Sequence, residues 1–314
     1  MAQNYPNFEH IVVDGASTDG TVDILKQYPH VRWVSEKDSG EAEALNKALR
    51  MVTGDIVSWL NVDDLYFDDT VLRTVIAAAG EHPQHGVFYG KGMAVNEECE
   101  VLWYRRPILT LDLPTLMRWF VPFNIFQPAM FYRREVLQDF GSFREDLHYA
   151  IDYDMWLRVA ARGHTSFFID RFLALATLVR EGAKSGGSWE DQHLTWMEVS
   201  KPFQRFLSAA ERVNYWKEFY FYMLRPPVTY TKALSVPEDE HELHGFAIAA
   251  LECGHMPFAV QAVERLTALF PQSPDVYWIL SEVLNKSGNH PLAVQAMKQG
   301  SDLSKAAAPV GKTV

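Results

Sequence analysis

Short apolar runs and helical apolar spacings alternate through the first sixty residues. Residues 9–13, 31–34 and 56–60 have the length and composition of buried strands. Between these runs, apolar side chains recur every three or four positions, as they do on one face of a helix. They are Val22, Leu25 and Tyr28, then Ala44, Leu45, Ala48, Leu49 and Val52. This order of strands and helices predicts an α/β fold with a mostly parallel sheet flanked by helices.

The rest of the chain divides into a less regular middle and a helical end. Apolar spacing predicts helices over residues 70–80, 133–140 and 150–161, and strands over 87–89, 127–131 and 167–173. After about residue 190 the pattern turns helical. We therefore predict an α/β domain over residues 1–190, a helical connector over 191–236, an all-α repeat region over 237–305 and a disordered tail over 306–314.

An internal repeat marks the C-terminal part. The segment Gly254-His255-Met256-Pro257-Phe258-Ala259 returns 34 residues later as Gly288-Asn289-His290-Pro291-Leu292-Ala293. A helix-turn-helix period of this length is the tetratricopeptide signature. Two copies are fewer than the three that such repeats usually need for stability. We therefore expect them to pack on helices over residues 211–222, and either to bind a protein partner or only to buttress the first domain.

Composition limits the classes of partner and the cellular compartment that fit this chain. A net charge of −11 argues against a nucleic-acid partner, which needs a basic face. Two cysteines fit a reducing compartment, so the cytoplasm is the predicted location. The first ten residues are too polar for a signal peptide, and no uncharged apolar stretch is long enough for a transmembrane helix. Two aromatic-rich stretches, 113–132 and 215–234, either form core helices or contact the inner face of the membrane peripherally.

Acidic side chains stand at the ends of predicted strands and the starts of predicted helices. They are Asp14, Asp38, then Asp63 and Asp64 beside Asn61, and finally Asp152 and Asp154. Ligands of open α/β sheets bind just outside the carboxyl ends of the strands. Two adjacent carboxylates there suit a hard divalent cation that keeps its waters and shares them with a phosphate. Each residue alone also has a structural explanation, as a turn former, a cap neighbour or a partner of the helix dipole.

Taken together and in order, these motifs resemble family 2 glycosyltransferases of the GT-A fold, which has a Rossmann-like sheet. The motifs are Val12-Val13-Asp14-Gly15-Ala16-Ser17, Glu36-Lys37-Asp38-Ser39-Gly40, Thr53-Gly54-Asp55-Ile56, Leu60-Asn61-Val62-Asp63-Asp64 and Ile151-Asp152-Tyr153-Asp154-Met155-Trp156. The resemblance covers roughly residues 2–185. It implies a metal-dependent inverting transfer of a sugar from a nucleotide sugar, with UDP favoured, to a glycan, lipid-linked or protein acceptor in a bacterium.

The resemblance also implies which residues bind the donor. Asp14 matches the position that contacts the nucleotide base, and Asp38 lies in the loop that approaches base and ribose. Asn61, Asp63 and Asp64 match the DxD-type motif, in which the two aspartates hold Mn²⁺ or Mg²⁺ together with the diphosphate.

The remaining matched positions concern the reaction and the acceptor. Asp152 matches the general base, whereas Asp154 points elsewhere on the helix and suits a structural role. Gln127 matches a position on the acceptor side. The family often has a histidine that contacts the diphosphate, and here either Arg180 or Lys184 is expected to supply that cation.

The chain also departs from the family pattern. Asn61 replaces the first carboxylate of the DxD-type motif, and Gly15 stands where an acidic residue is common. The strand and helix that open the family domain are missing ahead of residue 3, so we expect a truncated chain that needs them for nucleotide binding. The alternative function is an inactive transferase that serves as a tetratricopeptide-type scaffold. A nucleotidyltransferase is a third interpretation, but such an enzyme needs a basic glycine-rich phosphate loop near its first strand.

Overall fold

The computed structural model describes residues 3–104, 107–118, 125–177, 189–224 and 236–307. The chain forms two compact units, Met1–Phe203 and Gln204–Val314. The first unit mixes strands and helices, and the second is built from helices in the part that the structure describes. The predicted change from α/β to helical structure is therefore present, while the four-part division of the chain stays a prediction.

The first unit opens with two parallel strands and two helices. They are β1 (His10–Asp14), α1 (Thr21–Leu25), β2 (Val31–Ser35) and α2 (Glu41–Met51). The register of the two strands puts Asp14 opposite Ser35 at their carboxyl ends. Helix α2 carries acidic residues in its first turn and Arg50 in its last, which complements the helix dipole. This arrangement brings the loops after β1 and β2 to the same edge.

The larger sheet has six strands and mixed directions. They are β3 (Ile56–Val57), β4 (Asp64–Tyr66), β5 (Val87–Val95), β6 (Val101–Trp103), β7 (Met130–Arg133) and β8 (Ser166–Thr177). Their order is β3-β7-β5-β8-β4, and β6 pairs with β5. Strands β5 and β8 are parallel, whereas β3 with β7, β4 with β8, and β5 with both β6 and β7 are antiparallel.

The prediction of a mostly parallel sheet is therefore wrong. Parallel neighbours need a long crossover, usually a helix. Strand β4 instead follows β3 through the short turn at residues 58–63, and β7 is entered through a 3-10 turn over Gln127–Ala129. Both strands consequently run against β5 and β8. Local apolar patterns did not reveal these reversals, because strand direction depends on long-range pairing.

Five further α-helices lie in the described part of the first unit. They are α3 (Val71–Glu81), α4 (Leu113–Met117), α5 (Arg134–Phe140), α6 (Ile151–Ala161) and α7 (Trp189–Ser200). Val71 and Val75 of α3 share one core cluster with Phe88, Phe131 and Leu173 of the sheet. The start of α6 is fixed by Ala150, whose left-handed backbone (φ 62°) is unusual for a residue with a side chain.

The described part of the second unit consists of helices, and short turns join the last four of them. They are α8 (Ala209–Leu224), α9 (Glu240–Glu252), α10 (Met256–Leu269), α11 (Pro274–Lys286) and α12 (His290–Ala307). Gly254 and Gly288, which the sequence repeat pairs, end α9 and α11 with φ of 77° and 80°. The repeat is thus a helix pair in each copy, and its identification as tetratricopeptide stays a prediction.

Two sequence expectations on this unit concern its ends. Residues 306 and 307 belong to α12, and the rest of the predicted disordered tail lies outside the described residues. Among the helices that the structure describes, none combines the length and the apolar character needed to cross a bilayer.

Candidate active site

Asp14 ends β1 and organises the loop that follows it. Its carboxylate accepts hydrogen bonds from the Ser17 backbone N–H (3.0 Å), the Ser17 hydroxyl and the Ser35 hydroxyl (2.6 Å). These bonds, led by the one from the Ser17 side chain, lower the pKa of Asp14. Ala16 in the same loop takes a left-handed conformation with φ 65°. Asp14 is therefore ionised and fixed, and it stabilises the loop predicted to meet the nucleotide base.

Asp38 lies against the Asp14 loop. A Cβ atom placed on Gly15 would stand 3.1 Å from Asp38 Oδ2, so the side chain closely approaches the Gly15 backbone. Asp38 Oδ1 accepts a hydrogen bond from the Gly40 backbone N–H at 3.0 Å. The structure thus brings together the two carboxylates predicted to contact the nucleoside, and Gly15, noted as a departure from the family, makes room for this contact.

Asn61, Asp63 and Asp64 form a turn between β3 and β4. The Asp64 backbone N–H donates to the Asn61 carbonyl at 3.0 Å, and the Asn61 N–H donates to Asp64 Oδ2 at 3.3 Å. Asp63 is exposed, whereas Asp64 is only 8% exposed. Burial, the charge of Asp63 and the charge of Glu41 raise the pKa of Asp64 from 3.8 to about 7. A buried carboxylate thus lies beside an exposed one.

Glu41 is a site residue that sequence reasoning missed. It is the first residue of α2, and its charge acts on Asp64 although the two are far apart in sequence. The only signal for it was its place after Asp38-Ser39-Gly40, where an acidic residue also suits the helix dipole. Within the residues that the structure describes, no group of three or more His, Cys, Asp or Glu side chains could hold a metal ion. The metal-binding role predicted for Asp63 and Asp64 stays a prediction.

Asp152 and Asp154 occupy the first turn of α6 and have different surroundings. Asp152 accepts a hydrogen bond from the Tyr153 backbone N–H at 2.8 Å. Asp154 is 3% exposed and pairs with Arg158 Nη2 at 2.7 Å and with Arg144 Nη1 at 3.9 Å. This ion pair gives Asp154 a structural role. Residues two positions apart on a helix point to different sides, so Asp152 does not take part in it.

Three aromatic residues between these segments were also missed. The ring of Trp59 stacks on that of Tyr132, with centroids 5.4 Å apart, and Trp156 Nε1 donates to the Tyr132 hydroxyl at 3.0 Å. Gln127 Nε2 donates to the Trp59 carbonyl at 3.1 Å, while its predicted acceptor-side role stays a prediction. Each aromatic position is consistent with ordinary core packing, so the sequence held no signal for the contact between them.

Arg180 and Lys184, predicted as the diphosphate cation, lie outside the described residues. The roles predicted for Asp14, Asp38, Asn61, Asp63, Asp64 and Asp152 stay predictions. What the structure adds is their surroundings: an ionised loop carboxylate with a second one beside it, a buried carboxylate in a turn, and an acidic residue at a helix start.

Comparison with known proteins relates this arrangement to one family. Residues 1–141 match the model of Glycosyl transferase family 2. The putative glycosyltransferase EpsE of Bacillus subtilis is 31% identical over 182 residues, which are 55% of this chain and 63% of that protein. The uncharacterized glycosyltransferase RC0461 of Rickettsia conorii is 26% identical over 170 residues, 51% of this chain and 27% of that protein. The match thus covers 27% of the length of RC0461 and 63% of the length of EpsE.

A solved structure shows a related fold. Staphylococcus aureus TarS 1–349, in complex with UDP-GlcNAc, superposes with a TM-score of 0.54 over 95% of this chain and 85% of that one, at 18% sequence identity. At this identity the likeness concerns the fold alone. The α/β transferase fold predicted from the motifs is thereby confirmed, and the match to the Glycosyl transferase family 2 model covers residues 1–141, less than half of the chain.

Proposed function

We propose that the first unit transfers a sugar from a nucleotide sugar to an acceptor hydroxyl, because residues 1–141 match the model of Glycosyl transferase family 2. The transfer inverts the anomeric centre and depends on Mn²⁺ or Mg²⁺. The donor is a UDP-sugar, and the acceptor is a glycan, a lipid-linked glycan or a protein. UDP comes first because TarS, which shares the fold, was solved with UDP-GlcNAc.

The observation that carries this proposal is the pair Asp63 and Asp64. Asp64 is 8% exposed, and its pKa is raised to about 7 by burial and by two neighbouring carboxylates. A buried carboxylate with acidic neighbours destabilises the free protein, and groups with strongly perturbed pKa values cluster at functional sites. A bound cation removes this penalty, because it neutralises the repulsion between the two side chains.

The two carboxylates fit the proposed metal ion. Mg²⁺ is usually held by one or two carboxylates and completes its shell with water and substrate phosphate, so a larger cluster of protein ligands is not required. Asp63 and Asp64 would hold the ion. When bound, the ion neutralises the charge that develops on the departing diphosphate.

Asp152 is the proposed general base. In the proposed step the acceptor oxygen forms a bond to the anomeric carbon, the bond from that carbon to the diphosphate breaks, and Asp152 takes the hydroxyl proton. General-base assistance of this kind contributes roughly 10²–10⁴-fold to a rate. Asp14 and Asp38 stand at the loops proposed to receive the nucleoside, and the C-terminal helices are proposed to bind a protein partner or to support the transferase.

The test is a calorimetric titration of UDP into the full chain, with and without Mn²⁺. We expect binding that depends on Mn²⁺ and is lost in Asp63→Ala. The matched control is Asp69→Ala, which removes a nearby exposed carboxylate outside the turn. Metal-independent binding overturns the metal site. If this chain binds no nucleoside diphosphate, the titration is repeated with an upstream strand and helix added. No binding of UDP or any other nucleoside diphosphate by that extended, folded protein overturns the proposal as a whole.

A transfer assay tests the general base separately. Asp152→Asn keeps the shape of the side chain but cannot accept the proton. We expect it to bind UDP as the wild type does and to lose about 10²-fold or more in kcat. An Asp152→Asn variant with wild-type kcat would assign the base elsewhere.

A further inference from the structure

Three aromatic side chains connect the turn at Asn61–Asp64 with the helix that carries Asp152. They are Trp59, Tyr132 and Trp156, and we call them the aromatic bridge. Trp59 lies two residues before Asn61, and Trp156 lies four residues after Asp152. Tyr132, in β7, touches both of the others. None of the three is charged, and only Trp156 falls within the motifs by which the family was predicted.

The contact between Trp59 and Tyr132 fixes the strand that leads to the turn. Their rings are stacked, with centroids 5.4 Å apart and planes within 12° of each other. The backbone supports this contact, because Tyr132 is paired with Val57 in the sheet. From the other side, Gln127 Nε2 donates to the Trp59 carbonyl at 3.1 Å. Trp59 is therefore held through both its side chain and its backbone just ahead of Asn61.

The contact between Tyr132 and Trp156 fixes the helix. Trp156 Nε1 donates to the Tyr132 hydroxyl at 3.0 Å, and Tyr132 is 1% exposed. Residues four apart on a helix lie on the same face, so Trp156 anchors the face from which Asp152 projects. Burial and, among its neighbours, the charge of Asp152 raise the pKa of Tyr132, so the phenol stays neutral. The hydroxyl can then accept the indole hydrogen bond throughout the working pH range.

We propose that Tyr132 is a positioning residue, which sets Asp152 relative to the donor-binding turn through the aromatic bridge. The inference rests on the proposed function, because it presumes Asp152 as the general base. A base must stand within hydrogen-bond reach of the proton that it takes. A displacement of about 1 Å can lower the rate by roughly 10²-fold. Tyr132 is 1% exposed, so it acts on the turn and on Asp152 through its contacts with Trp59 and Trp156.

The decisive variant is Tyr132→Phe, which keeps the ring stacked on Trp59 and removes the acceptor of the Trp156 N–H. Its matched control is Tyr89→Phe in the neighbouring strand β5. Tyr89 is 2% exposed, and its hydroxyl donates to the Ile108 carbonyl at 3.1 Å. Tyr132→Phe also removes the weak hydrogen bond that the hydroxyl donates to Met130 Sδ at 3.4 Å. Both substitutions thus remove one buried hydroxyl together with its hydrogen bonds, and both should destabilise the protein.

The readout is kcat per donor-binding site, with the number of sites taken from the calorimetric stoichiometry. We expect Tyr132→Phe to lower kcat per site about tenfold and to change the donor KM by less than about twofold. Tyr89→Phe should leave both values at the wild-type level. A merely structural role would reduce the number of sites in both variants and leave kcat per site unchanged. Equal kcat per site in Tyr132→Phe and wild type overturns the inference.

A second variant tests whether the hydrogen bond carries the effect. In Tyr132→Phe the indole N–H of Trp156 is left without its acceptor, so adding Trp156→Phe should lower kcat per site no further. Independent, multiplying losses would show that the two residues do not act through this bond, and would overturn the inference. A wild-type chain that neither binds nor uses any nucleotide sugar, even with the upstream strand and helix added, overturns the proposed function and this inference with it. If the wild type is active and Tyr132→Phe has the same kcat per site, only this inference is overturned.

Discussion

Asp154 and Asp64 are both buried carboxylates of the first unit, but their surroundings are opposite. Asp154, 3% exposed, pairs with Arg158 at 2.7 Å, and Arg158 also donates to the Ser142 carbonyl at 2.7 Å. Asp64, 8% exposed, has Asp63 and Glu41 as its charged neighbours and accepts a hydrogen bond from the Asn61 N–H. Burial and the charges of Asp63 and Glu41 raise the pKa of Asp64, and the hydrogen bonds from Asn61 only partly offset them.

We infer from this contrast that Asp154 stabilises the fold, whereas Asp64 destabilises it as long as no ligand is bound. A buried charge without a partner is unfavourable, whereas removing one member of a buried pair leaves the other uncompensated. Asp154 therefore belongs to the packing of α6, although it lies only two residues from Asp152. Asp64 belongs to the proposed site, because only a bound cation gives its burial a favourable outcome.

The largest expected effect is on Asp154. Asp154→Ala leaves Arg158, whose side chain is 21% exposed, without its carboxylate, so we expect the free energy of unfolding to fall by about 3 kcal/mol. Urea denaturation monitored by circular dichroism measures this loss. The matched control is Asp146→Ala, which removes a 67% exposed carboxylate that pairs with Arg144 at 2.6 Å. Exposed pairs contribute about 0–1 kcal/mol, so equal losses in the two variants would contradict the contrast.

A smaller effect of opposite sign is expected at Asp64. Its folded pKa of about 7 lies above the ordinary 3.8, so the native state holds the proton more tightly than the unfolded chain. The wild type therefore loses stability as pH rises from about 4 to about 7, and no further above that. Asp64→Asn removes this loss and should be more stable than wild type by roughly 1–3 kcal/mol near pH 8.

The pH dependence provides the control for this variant. At about pH 3 the Asp64 carboxyl is mostly protonated in both states, so the stabilities of Asp64→Asn and wild type should converge. Urea denaturation in the presence of a chelator, at about pH 3 and about pH 8, measures the difference without bound metal. A variant less stable than wild type at the higher pH would mean that Asp64 has a favourable partner, and the contrast with Asp154 would be lost.

Sequence patterns predicted the parts of this picture that depend on neighbours along the chain. The strands and helices up to α2, the loops at Asp14 and Asp38 and the turn at Asn61 follow from local apolar spacing and turn residues. Helical geometry also separated Asp152 from Asp154, because the two point to different sides of α6.

The remaining features depend on contacts between distant segments. The antiparallel direction of β7 and β4 follows from pairing across the sheet, and neither strand shows it in its own residues. The burial of Asp64 and its proximity to Glu41 arise only when α2 is placed beside the turn. The aromatic bridge joins residues 59, 132 and 156, whose spacing has no local period.

The smallest expected effect is on Glu9, a carboxylate held by backbone N–H groups rather than by burial in an ion pair. Glu9 Oε1 accepts from the N–H groups of Thr53 (2.6 Å) and Gly54 (2.8 Å), and Oε2 pairs with Arg32 at 2.6 Å. Burial opposes its ionisation, but these hydrogen bonds outweigh burial and lower the pKa of Glu9. The free energy that they contribute is present above the ordinary pKa of about 4.5 and disappears as pH falls through the lowered value.

Glu9→Gln should therefore lower the free energy of unfolding by about 1 kcal/mol near pH 7, with the loss shrinking toward pH 3. This pH dependence runs opposite to the one expected for Asp64→Asn, whose difference from wild type reflects a penalty that grows with pH. Urea denaturation of both variants over the same pH series measures the two slopes side by side. If Glu9→Gln and Asp64→Asn were both less stable than wild type near pH 8, or both more stable, the two carboxylates would affect the fold in the same way. The hydrogen-bond donors around a carboxylate would then not decide its effect, and Asp64 could not be distinguished from the structural carboxylates.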